Sequence, residues 1–378
     1  MDLLRKLILG LIVVALPLGE VARFSFNEVA ITLMDIGTAL TVLSWIFLKI
    51  KSSHSDLKKP ILIFTGVLTL SLFVNIPRLN ANELLVSSSY LIRWIFYTLL
   101  FFAVSDLSSF RKKINKAMLI GGAVVIVGGF AQYFLYPDLR NLRYAGWDEH
   151  LYRMFSTFLD PNFAGSFFVL YFLFVSNYLN FKKKITFILP ALTLIAIFLT
   201  FSRSAYIMLI VAAVIYSFLL KQKKTGIILV VLIINSIVLI SAISLKSEGT
   251  NLLRTASGEA RIDSMKNAVT IFKDHPLFGI GFNSYRYAQR NYGFINEDKM
   301  VVHSGAGTDN SFLFILATSG IIGFAAFIYL LLSMASIKDP LIVSSILALM
   351  VNSLFINSFF YPPIMLWLWI LLGIRRST

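Results

Sequence analysis

The chain has 378 residues, of which 57% are hydrophobic, and a formal net charge of +15. So much apolar sequence excludes an ordinary soluble globular domain, and the absence of cysteine excludes disulfides and thiolate metal sites. The positive charge does not point to nucleic acid. It falls in short clusters between apolar runs, the pattern of cytoplasmic loops in membrane proteins.

Apolar runs recur along the whole length at about the extent needed to cross a bilayer core of about 30 Å. Backbone in lipid must satisfy its own hydrogen bonds, so these runs are expected to be helices. They are continuous Leu/Ile/Val/Phe blocks rather than alternating segments, which argues against a β-barrel. The expected spans are 7–22, 29–48, 61–76, 84–105, 117–135, 163–180, 185–200, 204–220, 226–245, 311–334, 340–358 and 361–374. The predicted fold class is therefore all-α, a polytopic membrane protein of about 12 transmembrane helices.

The basic clusters are Arg5-Lys6, Lys49 to Lys59, Arg111 to Lys116, Lys182-Lys183-Lys184, Lys221 to Lys224, Lys338 and Arg375-Arg376. A cytoplasmic N-terminus puts all of them, and the C-terminus, on the cytoplasmic side. It also puts the two long polar loops, about 136–162 and 246–310, outside. The first span has the charged start of a signal peptide, but no clear small-x-small cleavage site follows and the topology works with it retained. No internal repeat or separate soluble domain is visible, so residues 1–378 read as one transmembrane domain. Within the spans, Arg93 is expected either to pair with Glu28 or Asp35 or to touch a lipid phosphate.

The segment 246–310 carries the densest polar chemistry. Ile262, Met265, Val269 and Phe272 recur at spacings of three and four, which predicts an amphipathic helix on the outer membrane surface, with Arg261 near its start. Asp274-His275-Pro276 ends it, and Gly279-Ile280-Gly281 predicts a turn that needs glycine. The run Phe282, Tyr285, Arg286, Tyr287, Arg290, Tyr292 follows, a mixture suited to sugar rings and phosphate. His303 to Ser311 then leads into a membrane helix.

Arg261 with Asp274-His275-Pro276-Leu277-Phe278-Gly279-Ile280-Gly281, then Asp309-Asn310-Ser311 and Gly320-Ile321-Ile322-Gly323, resembles the O-antigen ligase/polymerase superfamily. The Ser202-Arg203-Ser204-Ala205 hairpin does so too, as does Arg153 to Phe158 with Asp160-Pro161-Asn162 and Gly165. The resemblance covers roughly Arg153 to Gly323. It implies a GT-C type membrane glycosyltransferase, inverting and metal-independent, with no cofactor. Its partners would be an undecaprenyl-diphosphate-linked oligosaccharide and membrane lipid, with room for a chain-length regulator and a flippase. The site would face outward from the cytoplasmic (inner) membrane.

The residues agree chemically. Arginine is permanently charged and offers paired donors to phosphate oxygens, so Arg203 and Arg261 are candidates to stabilise a departing diphosphate if the loop folds over the hairpin. Arg286, Arg290 and Arg153 are candidate substrate contacts, with Asn162 and Asn310. Interfacial anchoring is the bland alternative for Arg203. Asp309 is the candidate base or acceptor-orienting group, and an N-cap of the helix near Ser311 is its alternative role. His303 is the competing base. Ligases of the superfamily typically carry His-Asn where this chain has Asp309-Asn310, which favours a polymerase.

No Asp-x-Asp, His-x-x-x-His, P-loop or Rossmann glycine pattern occurs, so neither a metal nor a nucleotide substrate is implied. A ligase or protein O-oligosaccharyltransferase would use the same donor. A transporter or flippase would place its charges at midplane, whereas here they gather at the outer face.

Overall fold

The computed structural model describes every residue except 27, 49–54, 146, 180–183, 244–246, 296–306 and 376–378. The sequence-predicted site residue His303 and the basic residues within 49–54, 182–183 and 376 therefore lie outside the described residues.

The chain opens with α1 (Asp2–Gly10), a π-turn (Leu11–Ala15) and α2 (Leu16–Leu18), one continuous helical run that stops at Gly19. A hairpin follows, β1 (Arg23–Phe26) paired antiparallel with β2 (Val29–Thr32). This departs from the all-α expectation. The expected span 29–48 begins four residues late, as α3 (Leu33–Phe47), because Val29, Ile31 and Thr32 suit a strand and an apolar run does not separate strand from helix. Thr32 and Asp35 form a capping box that starts α3.

Next come α4 (Lys58–Val74), α5 (Ala81–Ser105) and α6 (Arg111–Leu135). α7 (Pro161–Tyr178) is capped by Asp160 and α9 (Arg203–Leu219) by Ser202, with α8 (Ile188–Leu199) between them. α10 (Lys223–Ile243), α11 (Ala256–Asp274), α12 (Tyr285–Asn291), α13 (Ser311–Ala335), α14 (Pro340–Asn352) and α15 (Pro362–Arg375) complete the order.

The result is a mostly helical membrane protein. Among the described residues, three helical stretches are long and apolar enough to cross a bilayer, namely Ala81–Ser105, Ser108–Leu135 and Ser311–Ala335. Others, such as Leu33–Phe47 and Pro362–Arg375, are apolar but shorter. At 1.5 Å per residue a helix of about 14 residues reaches only about 21 Å, short of a bilayer core of about 30 Å.

Helices pack in the pairs α9–α14, α4–α13, α5–α15 and α7–α8. The short last helix, α15, runs through the core: Pro362 to Ile374 are all buried. Trp367 stands edge-on to Phe167, Tyr171 and Phe174, and Trp369 to Trp94 and Phe101. Outward-facing residues such as Phe47, Leu62, Val127 and Ile227 are large, apolar and exposed, as a lipid-facing surface requires. Arg93 pairs with Asp35 at 2.9 Å, and the Tyr97 hydroxyl donates to the same carboxylate. The charge on α5 is thus neutralised inside the protein.

The break in α13 positions the site. Gly320 has φ +66 within an otherwise helical run. The segment Pro276–Gly281 inserts against that break. Ile280 and Gly281 donate to the Ala317 and Thr318 carbonyls, and Ile321 donates to the Pro276 carbonyl. The Ser71 hydroxyl on α4 lies within hydrogen-bond distance of both the Phe278 and Thr318 carbonyls, and Asn75 donates to that of Gly279. Each irregular segment supplies hydrogen-bond partners to the other, which is how non-helical backbone survives inside a membrane bundle. A Cβ on Gly320 would stand 2.1 Å from the Leu277 carbonyl oxygen, and one on Gly279 would stand 2.3 Å from the Thr318 carbonyl carbon. So the turn does need glycine, and the loop is a wedge in the bundle rather than a strap lying wholly on its surface.

Candidate active site

α11 packs on α13 and turns Arg261, Ser264, Ala268 and Ile271 inward. The expected apolar stripe is rotated by about one residue: Ile262 is 53% exposed, while Ile271 is fully buried. The rotation matters because it carries Arg261 on the inner stripe. One turn further along the same stripe, the Ser264 hydroxyl donates to the Thr308 hydroxyl at 3.2 Å and accepts from the Asp309 amide at 3.4 Å. A single helix face thereby holds Arg261 beside Asp309.

Asp309 does not cap α13. Asn310 does, accepting from the Phe312 and Leu313 amides at 2.9 and 3.0 Å and donating to the Leu354 carbonyl. Asn310 is 6% exposed, so its amide is consumed by capping rather than offered to substrate. The Asp309 carboxylate, by contrast, forms no hydrogen bond or ion pair with any described residue. Burial raises its pKa above the ordinary value, Arg261 opposes that shift, and Asp160 adds to it. These couplings put Asp309, Arg261 and Asp160 within electrostatic reach of one another.

The α8–α9 turn forms the other wall. Arg153 is 4% exposed and donates from Nε to the Thr200 carbonyl at 2.9 Å. Its Nη2 donates to the Phe201 carbonyl and to Asn162 Oδ1, each at 3.3 Å. Asn162 also accepts from the Ser202 hydroxyl at 3.0 Å. Arg254 donates to the same Phe201 carbonyl, and Arg203 donates to the Arg254 carbonyl at 3.1 Å. Arg203 and Arg261 are close enough to repel each other.

Burial, followed by repulsion from Arg254, pushes Arg153 down to about 9, so it remains charged at neutral pH. His150 lies half-buried near Arg153 and Arg254, and desolvation first and those cations second hold its pKa well below the ordinary value. Its ring is therefore neutral. Arg153 and Asn162, expected as substrate contacts, are occupied in fixing the turn that presents Arg203.

The remaining predicted cations sit elsewhere. Arg290 pairs with Glu83 at 2.5 Å. Arg286 is set among Tyr90, Tyr287, Glu28 and Arg23, and burial lowers its pKa. Neither is brought to Arg203 and Arg261, because α12 turns them toward the β-hairpin and the start of α5. Arg254 and Asp160 belong to the cluster although sequence reasoning gave them no role. Asp160 figured only within the Asp160-Pro161-Asn162 motif, and Arg254 in no motif; beyond the Gly249 and Asn251 carbonyls of its own loop, it meets the Phe201 carbonyl only through the tertiary fold.

Four arginines and two aspartates thus gather where α7, α9, α11 and α13 begin. Arg261 forms no hydrogen bond or ion pair with any described residue, so its full donor fork remains open. A family model described as O-Antigen ligase matches residues 188–328. That match supports the O-antigen ligase/polymerase superfamily for this chain. The matched stretch runs from the start of α8 into α13 and includes Arg203, Arg254, Arg261 and Asp309 of the site. The match also supports a glycosyltransferase-like membrane enzyme. No curated protein matches the chain.

Proposed function

We propose that this enzyme is a surface-polysaccharide polymerase. The donor is a glycan on undecaprenyl diphosphate and the acceptor is an incoming lipid-linked repeat unit. The observation that carries the reading is the pairing of an unbonded guanidinium, Arg261, with an unbonded, partly buried carboxylate, Asp309, beside Arg203. Asp309 takes the proton from the acceptor hydroxyl as its oxygen attacks the anomeric carbon. The bond from that carbon to the diphosphate oxygen breaks, and the diphosphate leaves with the electron pair. Attack opposite the leaving group inverts the anomeric centre.

Arg261 and Arg203 stabilise the charge that develops on the diphosphate, by the logic of an arginine clamp. They supply the positive charge that a metal supplies in other transferases, so the reaction is proposed to be metal-independent. The site faces outward from the cytoplasmic membrane, with both termini inside. Arg153, Arg254, Asn162 and Asn310 shape the site without touching the reacting atoms.

Asp309 in the place where superfamily ligases typically carry histidine favours polymer growth over transfer to a second kind of acceptor. The test is transfer in reconstituted vesicles with lipid-linked repeat units and chelator. A ladder of longer lipid-linked glycans is expected. Glycan arriving instead on an added lipid or protein acceptor assigns the enzyme as a ligase, and movement of lipid without elongation assigns it as a transporter.

A further inference from the structure

A second charged recess lies at the opposite end of the bundle. α6 and α7 link the two ends. In its last turn α6 places Gln132, which donates to the Arg153 carbonyl and accepts from the Phe155 and Ser156 amides. In its first turn it places Arg111 and Asn115. Along α6, Arg111 and Gln132 are separated by roughly 30 Å. The last turn of α7 brings Asn177 and Tyr178 to the Arg111 end. With Asp339 and Arg375, these six residues line a recess of about 300 Å³.

Most of the recess is internally bonded. Asp339 Oδ1 accepts from the Leu341 and Ile342 amides, and its Oδ2 pairs with Arg375 at 3.4 Å. Asn177 accepts from Arg375 and donates to the Tyr216 hydroxyl. Arg111 is different. It forms no hydrogen bond or ion pair with any described residue, and its Nε is buried without an acceptor. The Asn115 Oδ1 beside it is also buried without a partner. Exchanging the oxygen and nitrogen of that amide would point a second donor into the recess. The single carboxylate is already engaged, so two guanidinium charges face one acid and a buried N–H lacks an acceptor.

An oxyanion corrects both deficits, and the arginine fork matches phosphate oxygens. The level of the recess narrows the source. Arg111 is the first residue of a helix within a stretch long and apolar enough to cross a bilayer, so the recess lies where that helix meets the lipid headgroups. We propose that the recess binds the phosphate of an anionic membrane lipid. The site is independent of the glycan-transfer reading.

The experiment uses the full chain in detergent and compares phosphatidylglycerol, phosphatidylcholine and inorganic phosphate by native mass spectrometry and thermal unfolding. The intact protein should retain phosphatidylglycerol and be stabilised by it, but not by phosphatidylcholine or inorganic phosphate. Arg111→Gln should weaken that binding by about tenfold, the loss of one charge-assisted contact. Lys116→Gln, an equal charge loss outside the recess, should leave it unchanged. Equal weakening by the two variants would mean diffuse attraction and would overturn the site. Equal response to the two lipids would also overturn it. Stabilisation by inorganic phosphate alone would reassign the recess to a soluble phosphate and overturn the lipid assignment. The intact protein's response to the three ligands decides the matter even if a variant fails to fold.

Discussion

Two arginine-rich groups occupy the same end of the bundle, and they are built on different terms. Around α12, the start of α5 and the β-hairpin, three acids each meet a bonded partner. Arg290 meets Glu83 at 2.5 Å, Arg23 meets Glu20 at 3.3 Å, and the Tyr287 hydroxyl meets Glu28 at 3.3 Å. Around α9 and α11 the arginines bind backbone carbonyls or, for Arg261, no described residue. The two acids there, Asp160 and Asp309, do not form direct pairs with them. The difference teaches that arginine count is not the signal for phosphate chemistry. In the first group the partners consume the charge and hold the fold together. In the second the protein bears the cost of assembling like charges, and Arg261 is left without a bonded partner among the described residues.

That contrast can be broken by mutation, and the largest effects should fall on the open group. Arg261→Ala should reduce glycan transfer by roughly 100-fold or more, the scale of removing one preorganised charge donor. It should leave thermal unfolding nearly unchanged, because no described residue is bonded to the side chain.

Asp309→Asn should reduce transfer by about 100-fold to 10,000-fold, the usual contribution of a positioned base. Its pH behaviour sharpens the point. Burial raises the carboxyl pKa, so the proton-accepting form fills at higher pH than for an ordinary carboxylate, and the acid limb of the rate profile should be displaced upward. A raised folded-state pKa also means that the folded protein binds more protons than the unfolded chain. Its stabilising contribution is present at low pH and declines as pH rises through the raised value. Asp309→Asn should therefore hold or increase the unfolding temperature at neutral pH while abolishing the acid limb.

The paired group should respond the other way. Arg290→Ala leaves Glu83, 4% exposed, without its cation and should cost about 1–3 kcal/mol of stability, read by unfolding, with transfer per folded molecule retained. The smallest effect belongs to Asn310→Ala, which removes the cap of α13 and should cost about 1 kcal/mol. A larger loss of transfer than of stability in that variant would mean that the cap also aims the neighbouring Asp309.

Much of this was legible in the sequence. Apolar blocks marked helices α3 to α10 and α13 to α15, because burial in lipid leaves few other choices. Gly279 and Gly281 announced a turn. The hairpin at Arg203 and the helix carrying Arg261 were both identifiable, but their meeting depended on tertiary folding. The β-hairpin was hidden because Val29–Thr32 is as apolar as a helix start. The rotation of α11 was hidden because Ser264 and Ala268 are small rather than apolar markers, and close packing on α13 favours small residues. The division of the arginines between the two groups was hidden for a third reason: nothing local distinguishes an arginine that will meet Glu83 from one that will be left open.

The most direct test is transfer by Arg261→Ala and Arg290→Ala side by side, each normalised to folded protein, in vesicles containing lipid-linked repeat units. The account predicts a collapse of glycan elongation in Arg261→Ala with unchanged unfolding, and near-normal elongation per folded molecule in Arg290→Ala with reduced stability. Equal elongation in the two variants, or loss confined to Arg290→Ala, would contradict the division between open and paired charge on which the active-site assignment rests.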